Sequence, residues 1–114
     1  IQPVWSDQMR AAGVDSIYLY TPGQGCDYRA RMFSPTAGIP EDPATGSASA
    51  ILAAQLLASA ALPEGETRLA LQQGVEMGRP SQIGLTVVVT EGKVAQVRVA
   101  GSAVPVSEGR IRVP

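Results

Sequence analysis

Two acidic side chains stand directly before a turn of small residues, and this stretch of the sequence is the best equipped for chemistry. The acidic pair is Glu41 and Asp42, and the turn runs from Pro43 to Ser47 into an uncharged segment. Such a turn at a helix start exposes unpaired backbone N–H groups and a partial positive charge, which bind carboxylates and phosphates. Glycine admits a ligand close to the backbone, and hydroxyl side chains add donors. The residues predicted to form this anion site are Thr45, Gly46 and Ser47.

The acidic pair has two possible roles. A carboxylate beside a bound anion can give or take a proton at a neighbouring carbon atom, and Glu41 or Asp42 is placed to do so. The same residue types also make an ordinary helix start, in which aspartate caps the helix and proline occupies the first turn. Residue types alone favour capping, because such starts are common. Both interpretations are open at this point.

A second cluster, at 72–81, interrupts the pattern of strands with two glycines, a proline and charges of both signs. It could be a β-bulge and loop, or a wall of the same pocket in which Arg79 holds an anion. The bulge and loop are favoured, because Gly and Pro in sheets usually mark bends. The residues predicted to bind substrate if the cluster is a pocket wall are Gln73, Gly74 and Arg79.

Composition limits the available chemistry. The chain has 114 residues, a net charge of -1, one cysteine and no histidine. This length is typical of one domain, here 1–114, and nothing basic indicates nucleic acid or an anionic membrane surface. No internal disulfide can form, and no metal site is predicted from this chain alone. Proton transfer must then use a carboxylate, Cys26, Lys93, a tyrosine or water.

The single cysteine, the uncharged run and the chain start indicate where in the cell the protein is expected. A catalytic thiol needs histidine or positive charge nearby, and Cys26 has only Asp27 beside it, so an ordinary loop cysteine in a reducing, cytoplasmic setting is favoured. The uncharged run 43–63 approaches the length of a membrane span, but its small residues and lack of flanking Lys, Arg or Trp argue against a membrane helix. The start at Ile1 carries no signal peptide, and the chain is expected to be an excised or processed piece.

The remaining pattern predicts a mixed fold. A short helix is expected at 6–12, with Ser6 as N-cap and Gly13 at its stop. A second helix at 47–62 is apolar on every side and is therefore expected to be buried on all sides. Strands are predicted at 16–21, 28–34, 67–72, 83–90, 93–99, 102–106 and 110–113. These elements give an α+β domain, most simply an antiparallel barrel-like sheet wrapped around one central apolar helix.

Three stretches carry a family resemblance. They are Arg31-Met32-Phe33-Ser34-Pro35, the run from Gly38 to Ala48 and the run from Gln73 to Ser81. With these motifs in this order, the sequence resembles the PhzF-like family, the phenazine-biosynthesis-type isomerases, which share their fold with diaminopimelate epimerase. The resemblance covers nearly the whole chain as most of the C-terminal half of such a protein, without the first strands of that half. It implies two similar halves, each a barrel-like sheet around a central helix, with the active site between them.

The resemblance also implies a reaction. This is a cofactor-free isomerisation of a small carboxylate-bearing substrate by acid/base proton transfer at carbon, as in the family's conversion of dihydro-hydroxyanthranilate. It implies that Asp42 is an active-site acid and that Gly46 and Ser47 bind substrate, which reverses the preference for capping. The principal catalytic glutamate belongs to the N-terminal half, and Glu41 does not occupy its position. The chain alone is therefore expected to be inactive without an N-terminal half, supplied as a separate chain or as a removed segment.

Two alternatives remain. The chain could be a non-catalytic domain of the same fold that binds a small acid or a protein partner. It could also associate with a second copy of itself across the vacant cleft face, because absent strands leave a sheet edge and apolar surface that favour some partner. The identity of the substrate does not follow from the fold.

Overall fold

One mixed sheet and two α-helices make up the part of the chain that the computed structural model describes, residues 2–114, with side chains from residue 4 onward. Ile1, on which the prediction about the chain start depends, lies outside these residues. The elements are α1 (Gln2–Ala12), β1 (Ile17–Pro22), β2 (Tyr28–Ser34), a 3-10 turn (Pro35–Ala37), β3 (Ile39–Asp42), α2 (Gly46–Ala58), β4 (Gly65–Gln73), β5 (Ser81–Thr90) and β6 (Lys93–Gly101). The α+β class predicted from the sequence is confirmed.

The sheet order brings the two sequence clusters together. The strands follow one another as β1-β2-β4-β5-β6, and the short β3 also pairs with β2. All pairs are antiparallel except β2 with β4, where Ala30 lies opposite Gln73. The prediction of an entirely antiparallel sheet is therefore wrong at this pair. The chain between β2 and β4 passes through α2, and a crossover of this length permits parallel neighbours.

Helix α2 packs one face on the sheet and leaves another face exposed. Leu52, Ala53 and Leu56 are buried against a cluster from β4 and β5 that includes Leu71, Leu85 and Val87. Ile51, in contrast, is 72% exposed. The expectation that this helix is buried on all sides is therefore wrong for the described residues, and the helix ends at Ala58, four residues earlier than predicted. No helix within residues 2–114 has the length and apolar character that crossing a membrane demands.

The sheet is open. Both edge strands lie against α2. Strand β1 contacts it through the Tyr18 hydroxyl, which lies 3.2 Å from Ser49 Oγ. Strand β6 contacts it through Val99, which faces Gly46. Strands β1 and β6 do not pair with each other in the described residues. The exposed side of α2 around Ile51 is not covered by either edge strand.

Helix α1 starts earlier than the sequence pattern indicates. It begins at Gln2, so Ser6 lies inside it and is not its N-cap. Its end is as predicted: Gly13 adopts φ +68°, and the N–H groups of Gly13 and Val14 donate to carbonyls of the last turn. Trp5 packs on Phe33 of β2 with ring centroids 6.3 Å apart, which attaches the helix to the sheet.

The β5–β6 hairpin contains a bulge that sequence alternation did not reveal. Glu91 and Gly92 form the predicted turn, with φ of 53° and 73°. The register then shifts between Val88 and Val89, so that Val89 pairs with Val94 and Val88 pairs with Gln96. Alternation predicts Ala95, Val97 and Val99 on one face. Because of the bulge, the residues of β6 that pack against the core are Val94 and Val97.

The last thirteen residues, 102–114, form no strand. The strands predicted at 102–106 and 110–113 are therefore wrong for this structure. The four β-branched residues there have side chains between 79% and 92% exposed: Val104, Val106, Ile111 and Val113. Their alternating pattern is typical of a strand, but a strand requires a neighbour for its backbone groups, and this segment pairs with none in the described chain.

Candidate functional site

The loop between β3 and α2 places an acid at the start of a helix. Asp42 ends β3, and its Oδ2 accepts a hydrogen bond of 2.6 Å from the Thr45 hydroxyl. Thr45 is the N-cap residue of α2 and makes no side-chain capping bond of its own. Within the described residues the carboxylate of Asp42 reaches the helix through this hydroxyl and not through a backbone N–H. The structure therefore gives no support to capping as the role of Asp42.

The first turn of α2 presents its backbone N–H groups at the same place. The first N–H to bond within the helix is that of Ser49, which donates to the Thr45 carbonyl at 3.2 Å. The N–H groups of Gly46, Ser47 and Ala48 precede it, as the first donors of any helix do. Gly46 and Ser47 are exposed. Among the described residues, the helix start therefore combines unpaired N–H donors, a positive helix end and open access, the features that an anion site requires.

Gln73 ties the second sequence cluster to this loop. Its side chain is fully buried at the end of β4. Its Nε2 donates to the Asp42 carbonyl at 2.7 Å and to Thr45 Oγ1 at 2.9 Å, while its Oε1 accepts from the Thr45 N–H at 3.1 Å. The amide is therefore fully used inside the protein. This geometry favours a positioning role for Gln73, and its contact with substrate stays a prediction.

Gly74 allows the two clusters to touch. It has φ +79°, and a Cβ there would lie 2.8 Å from the Pro43 carbonyl oxygen and would overlap the carbonyl oxygen of Arg79. The N–H of Arg79 donates to the Gly74 carbonyl at 2.9 Å, which closes the 74–79 loop. The side chain of Arg79 is exposed and makes no ion pair among the described residues. The backbone of the cluster, rather than its charge, makes the contact with the β3–α2 loop.

An apolar cleft of about 350 Å³ runs between α2 and strands β1 and β2. Tyr18, Met32 and Ile51 are among its lining residues. Met32 pairs with Asp42 across β2 and β3, and directly paired residues project to the same side of a sheet. The cleft and the Asp42 carboxylate therefore lie on the side of the sheet that faces α2.

Tyr18 and Ser49 are polar residues of this region that sequence reasoning did not select. The Ser49 hydroxyl donates to the Thr45 carbonyl at 2.6 Å, so the Tyr18 hydroxyl is the donor in its bond to Ser49. Burial raises the pKa of Tyr18. No sequence signal singles out Tyr18, because one tyrosine in an aromatic strand looks like any other core residue.

Among the described residues no group of three His, Cys, Asp or Glu side chains gathers as a metal site would require.

Glu41 faces away from this site. Its two oxygens accept from Arg31 Nε at 2.9 Å and Arg31 Nη2 at 3.0 Å. The hydrogen bond from Arg31 lowers the pKa of Glu41, and the same bond raises the pKa of Arg31. The two acids of the pair therefore have different surroundings: Glu41 is held in an ion pair and Asp42 is placed at the helix start.

The Arg31–Glu41 pair gives a pH dependence that can be measured. A carboxyl with a lowered pKa in the folded state adds stability above its unfolded pKa of about 4.3, and this stability is lost as the pH falls through the folded value. We expect the free energy of unfolding of the wild type to exceed that of Glu41→Gln at pH 6, and the difference to shrink as the pH falls through the lowered pKa of Glu41. Urea unfolding of both proteins from pH 7 to pH 3 measures this difference, and a constant gap across the range would contradict it.

Replacing Gln73 by leucine should destabilise the chain strongly. The change keeps the buried volume but leaves the Asp42 carbonyl and the Thr45 N–H without their partner, at about 1–3 kcal/mol for each buried group. We expect a loss of roughly 2–4 kcal/mol in the free energy of unfolding by urea titration. Gln82→Leu, at an exposed position of β5, is the control and should stay within about 0.5 kcal/mol. Equal effects of the two changes would contradict the assigned role of Gln73.

Comparison with known proteins connects this chain to one family. The family model described as "Phenazine biosynthesis-like protein" (PhzC-PhzF) matches residues 3–109. An uncharacterized isomerase of Deinococcus radiodurans is 38% identical over 109 residues, which cover 94% of this chain and 35% of that protein. A trans-2,3-dihydro-3-hydroxyanthranilate isomerase of Pseudomonas aeruginosa is 41% identical over 88 residues, covering 77% of this chain and 31% of that protein.

A solved structure agrees with the sequence comparisons. The crystal structure of a Bacillus anthracis phenazine biosynthesis protein of the PhzF family superposes with a TM-score of 0.65 at 28% identity. The match covers 76% of this chain and 31% of that one. The chain spans about a third of the length of the curated relatives named above.

Proposed function

The chain belongs to the phenazine biosynthesis-like (PhzC-PhzF) family, and on this premise we propose that it is the C-terminal half of a cofactor-independent isomerase. The substrate class is a small molecule that bears a carboxylate, and the reaction moves a proton between carbon atoms of that molecule. The curated relatives that carry an activity in their names are isomerases, which supports the reaction class. The match covers only about a third of each of them, and we therefore assign the whole activity to a larger assembly.

The observation that carries the proposal is the position of Asp42 at the open end of α2. A substrate carboxylate held by the N–H groups of Gly46 and Ser47 brings its neighbouring carbon towards the Asp42 carboxyl. The hydroxyl of Thr45 donates to Asp42, which fixes the orientation of the acid. The reacting carbon, the anion site and the acid then meet within one short loop.

The proposed step needs no external reactant. A carboxylate removes a proton from one carbon, the substrate's π-system shifts, and a carboxylic acid returns a proton at another carbon, so the composition of the molecule does not change. Asp42 positions the substrate or takes part in one of these transfers. A glutamate of the N-terminal half is the other proton carrier, and Gln73 and Gly74 hold the loop that bears Asp42. Arg79 is proposed to bind a second anionic group of the substrate from the rim.

The exposed apolar surface of the chain supports the need for a partner. Leu19 on the β1 edge is 54% exposed, Ile51 on α2 is 72% exposed, and the β-branched residues of 102–114 are more exposed still. Surfaces of this kind mark interaction sites. We propose that an N-terminal half covers them and completes a barrel-like sheet around α2 as its central helix. A second copy of this chain is the other candidate partner.

Reconstitution tests the proposal. The chain is mixed with the separately expressed N-terminal half of the Pseudomonas aeruginosa relative, and association is measured by light scattering. Turnover of trans-2,3-dihydro-3-hydroxyanthranilate is then followed by its absorbance. We expect a one-to-one complex with turnover that neither half shows alone. Two folded halves that never associate would contradict the proposal, and a complex that binds the acid without turnover would favour the non-catalytic binding domain. Dimers of this chain alone would favour the second copy as partner.

A further inference from the structure

We infer that the ion pair between Arg31 and Glu41 is a positioning pair that holds Asp42 towards the start of α2. The inference rests on the proposed function, since it assigns to Glu41 a part in the same site without contact to the substrate. Glu41 is the member of the acidic pair to which the proposed reaction assigns no role.

Strand β3 is held only weakly by its backbone. It has four residues, and only Asp42 and Ile39 have registered partners in β2, Met32 and Ser34. The register shifts between these two pairs. Two pairs separated by an irregularity do not fix a register strongly. This holds especially for a short strand that has no neighbour on its other side among residues 2–114. Another contact must select the register that is observed.

The ion pair has the geometry to make that selection. Arg31 lies on β2, and its guanidinium donates to both oxygens of Glu41 at 2.9 and 3.0 Å. Such a two-bond fork fixes direction as well as distance, which a lysine ammonium cannot do. The side chain of Glu41 is only 15% exposed, against 40% for Glu66 in the surface pairs of that residue with Arg68 and Arg98. The pair is therefore more protected from solvent than those on the outer sheet surface.

The two acids occupy opposite faces of β3, which explains how a distant ion pair acts on the site. Consecutive residues of a strand point to opposite sides. Arg31 lines a small cavity together with Arg29 and Glu76, whereas Met32, the partner of Asp42, lines the cleft against α2. A slip of β3 by one residue would exchange the faces of Glu41 and Asp42. The ion pair opposes this slip from outside the site.

Hydrogen exchange of the full chain tests this inference without any turnover. We expect Arg31→Met and Glu41→Gln to speed exchange of the amides at positions 39, 41, 42 and 44 by about tenfold or more, because these amides belong to the strand or its loop. Arg68→Met removes a surface ion pair and is the matched control, with no change expected at those positions. Unchanged exchange in both Arg31→Met and Glu41→Gln would overturn the inference.

Kinetics of the reconstituted enzyme then separate positioning from simple stability. We expect Glu41→Gln to lower kcat by about ten- to a hundredfold with KM within about threefold, as misplacement of a catalytic group does. In an Asp42→Asn background the same change should have no further effect on kcat, because its action passes through Asp42. The exchanged pair Arg31→Glu with Glu41→Arg should recover more activity than Arg31→Lys, since only the former restores the fork. Additive losses in the double variant would overturn the inference, and so would full activity of Arg31→Lys.

These outcomes are distinct from failure of the proposed function. If the wild-type complex shows no turnover, the proposed isomerase activity fails. The exchange rates at positions 39, 41, 42 and 44 then still decide whether the ion pair fixes the strand.

Discussion

Asp42→Asn is expected to lower kcat of the reconstituted enzyme by about 10²–10⁴-fold while the chain stays folded. The amide cannot give or take the proton that a carboxyl transfers, but its oxygen can still accept the hydrogen bond that the Thr45 hydroxyl makes to Asp42. The geometry of the loop is therefore kept, and only the chemistry is removed. Asp42→Ala is a poorer choice, because it removes the hydrogen bond and the acid together.

The control for this substitution is Asp7→Asn, on the exposed face of α1, where the carboxylate makes only a weak contact of 3.8 Å with Arg10. It should leave kcat within about twofold, as a surface change does. Turnover is measured at saturating substrate, and folding is checked by urea unfolding of each variant. If Asp42 served only as a cap, Asp42→Asn would instead reduce stability by about 1 kcal/mol and leave turnover nearly intact. That pattern would refute a catalytic role.

The fold class and several element boundaries could be read from the sequence because they depend on local patterns. Strand β2 begins and ends where its residues predict, and the turn at Glu91 and Gly92 lies where the pattern breaks. The parallel pairing of β2 with β4 could not be predicted, because it depends on how α2 crosses the sheet. This crossover brings Gln73 beside the loop of Asp42, and no spacing along the chain indicates that contact.

The exposed face of α2 is another feature that could not be predicted from the sequence. The sequence predicts a helix buried on every side, and the residue types are those of such a helix. Burial, however, depends on what surrounds the helix, and the described chain covers only the face of Leu52 and Leu56 while Ile51 stays 72% exposed. The same reasoning applies to Val104 and Ile111, whose strand-like pattern has no neighbour to pair with in the described chain. Asp42, Thr45 and Gly46 could be named as candidate site residues from the sequence because they lie within one continuous motif.

Gly74→Ala should destabilise the chain strongly. The residue has φ +79°, which strains any side chain, and the added Cβ would meet the carbonyl oxygens of Pro43 and Arg79. Both neighbours are backbone atoms that belong to the two loops of the site, so neither can turn aside as a flexible side chain would. The conformational strain adds about 1 kcal/mol and the overlap about 1–3 kcal/mol. We expect the free energy of unfolding to fall by roughly 2–4 kcal/mol.

Gly78→Ala separates the conformational strain from the steric overlap. Gly78 has φ +75° in the same loop, but the space around its Cβ position is open. It should lose only the conformational part, about 1 kcal/mol. Urea unfolding of both variants gives the difference between them, which measures how tightly the 74–79 loop packs on Pro43. Equal losses would mean that the loops do not hold each other in place. A larger loss at Gly74, together with faster hydrogen exchange at position 44, would show that this packing fixes the start of α2 and with it the geometry of Asp42.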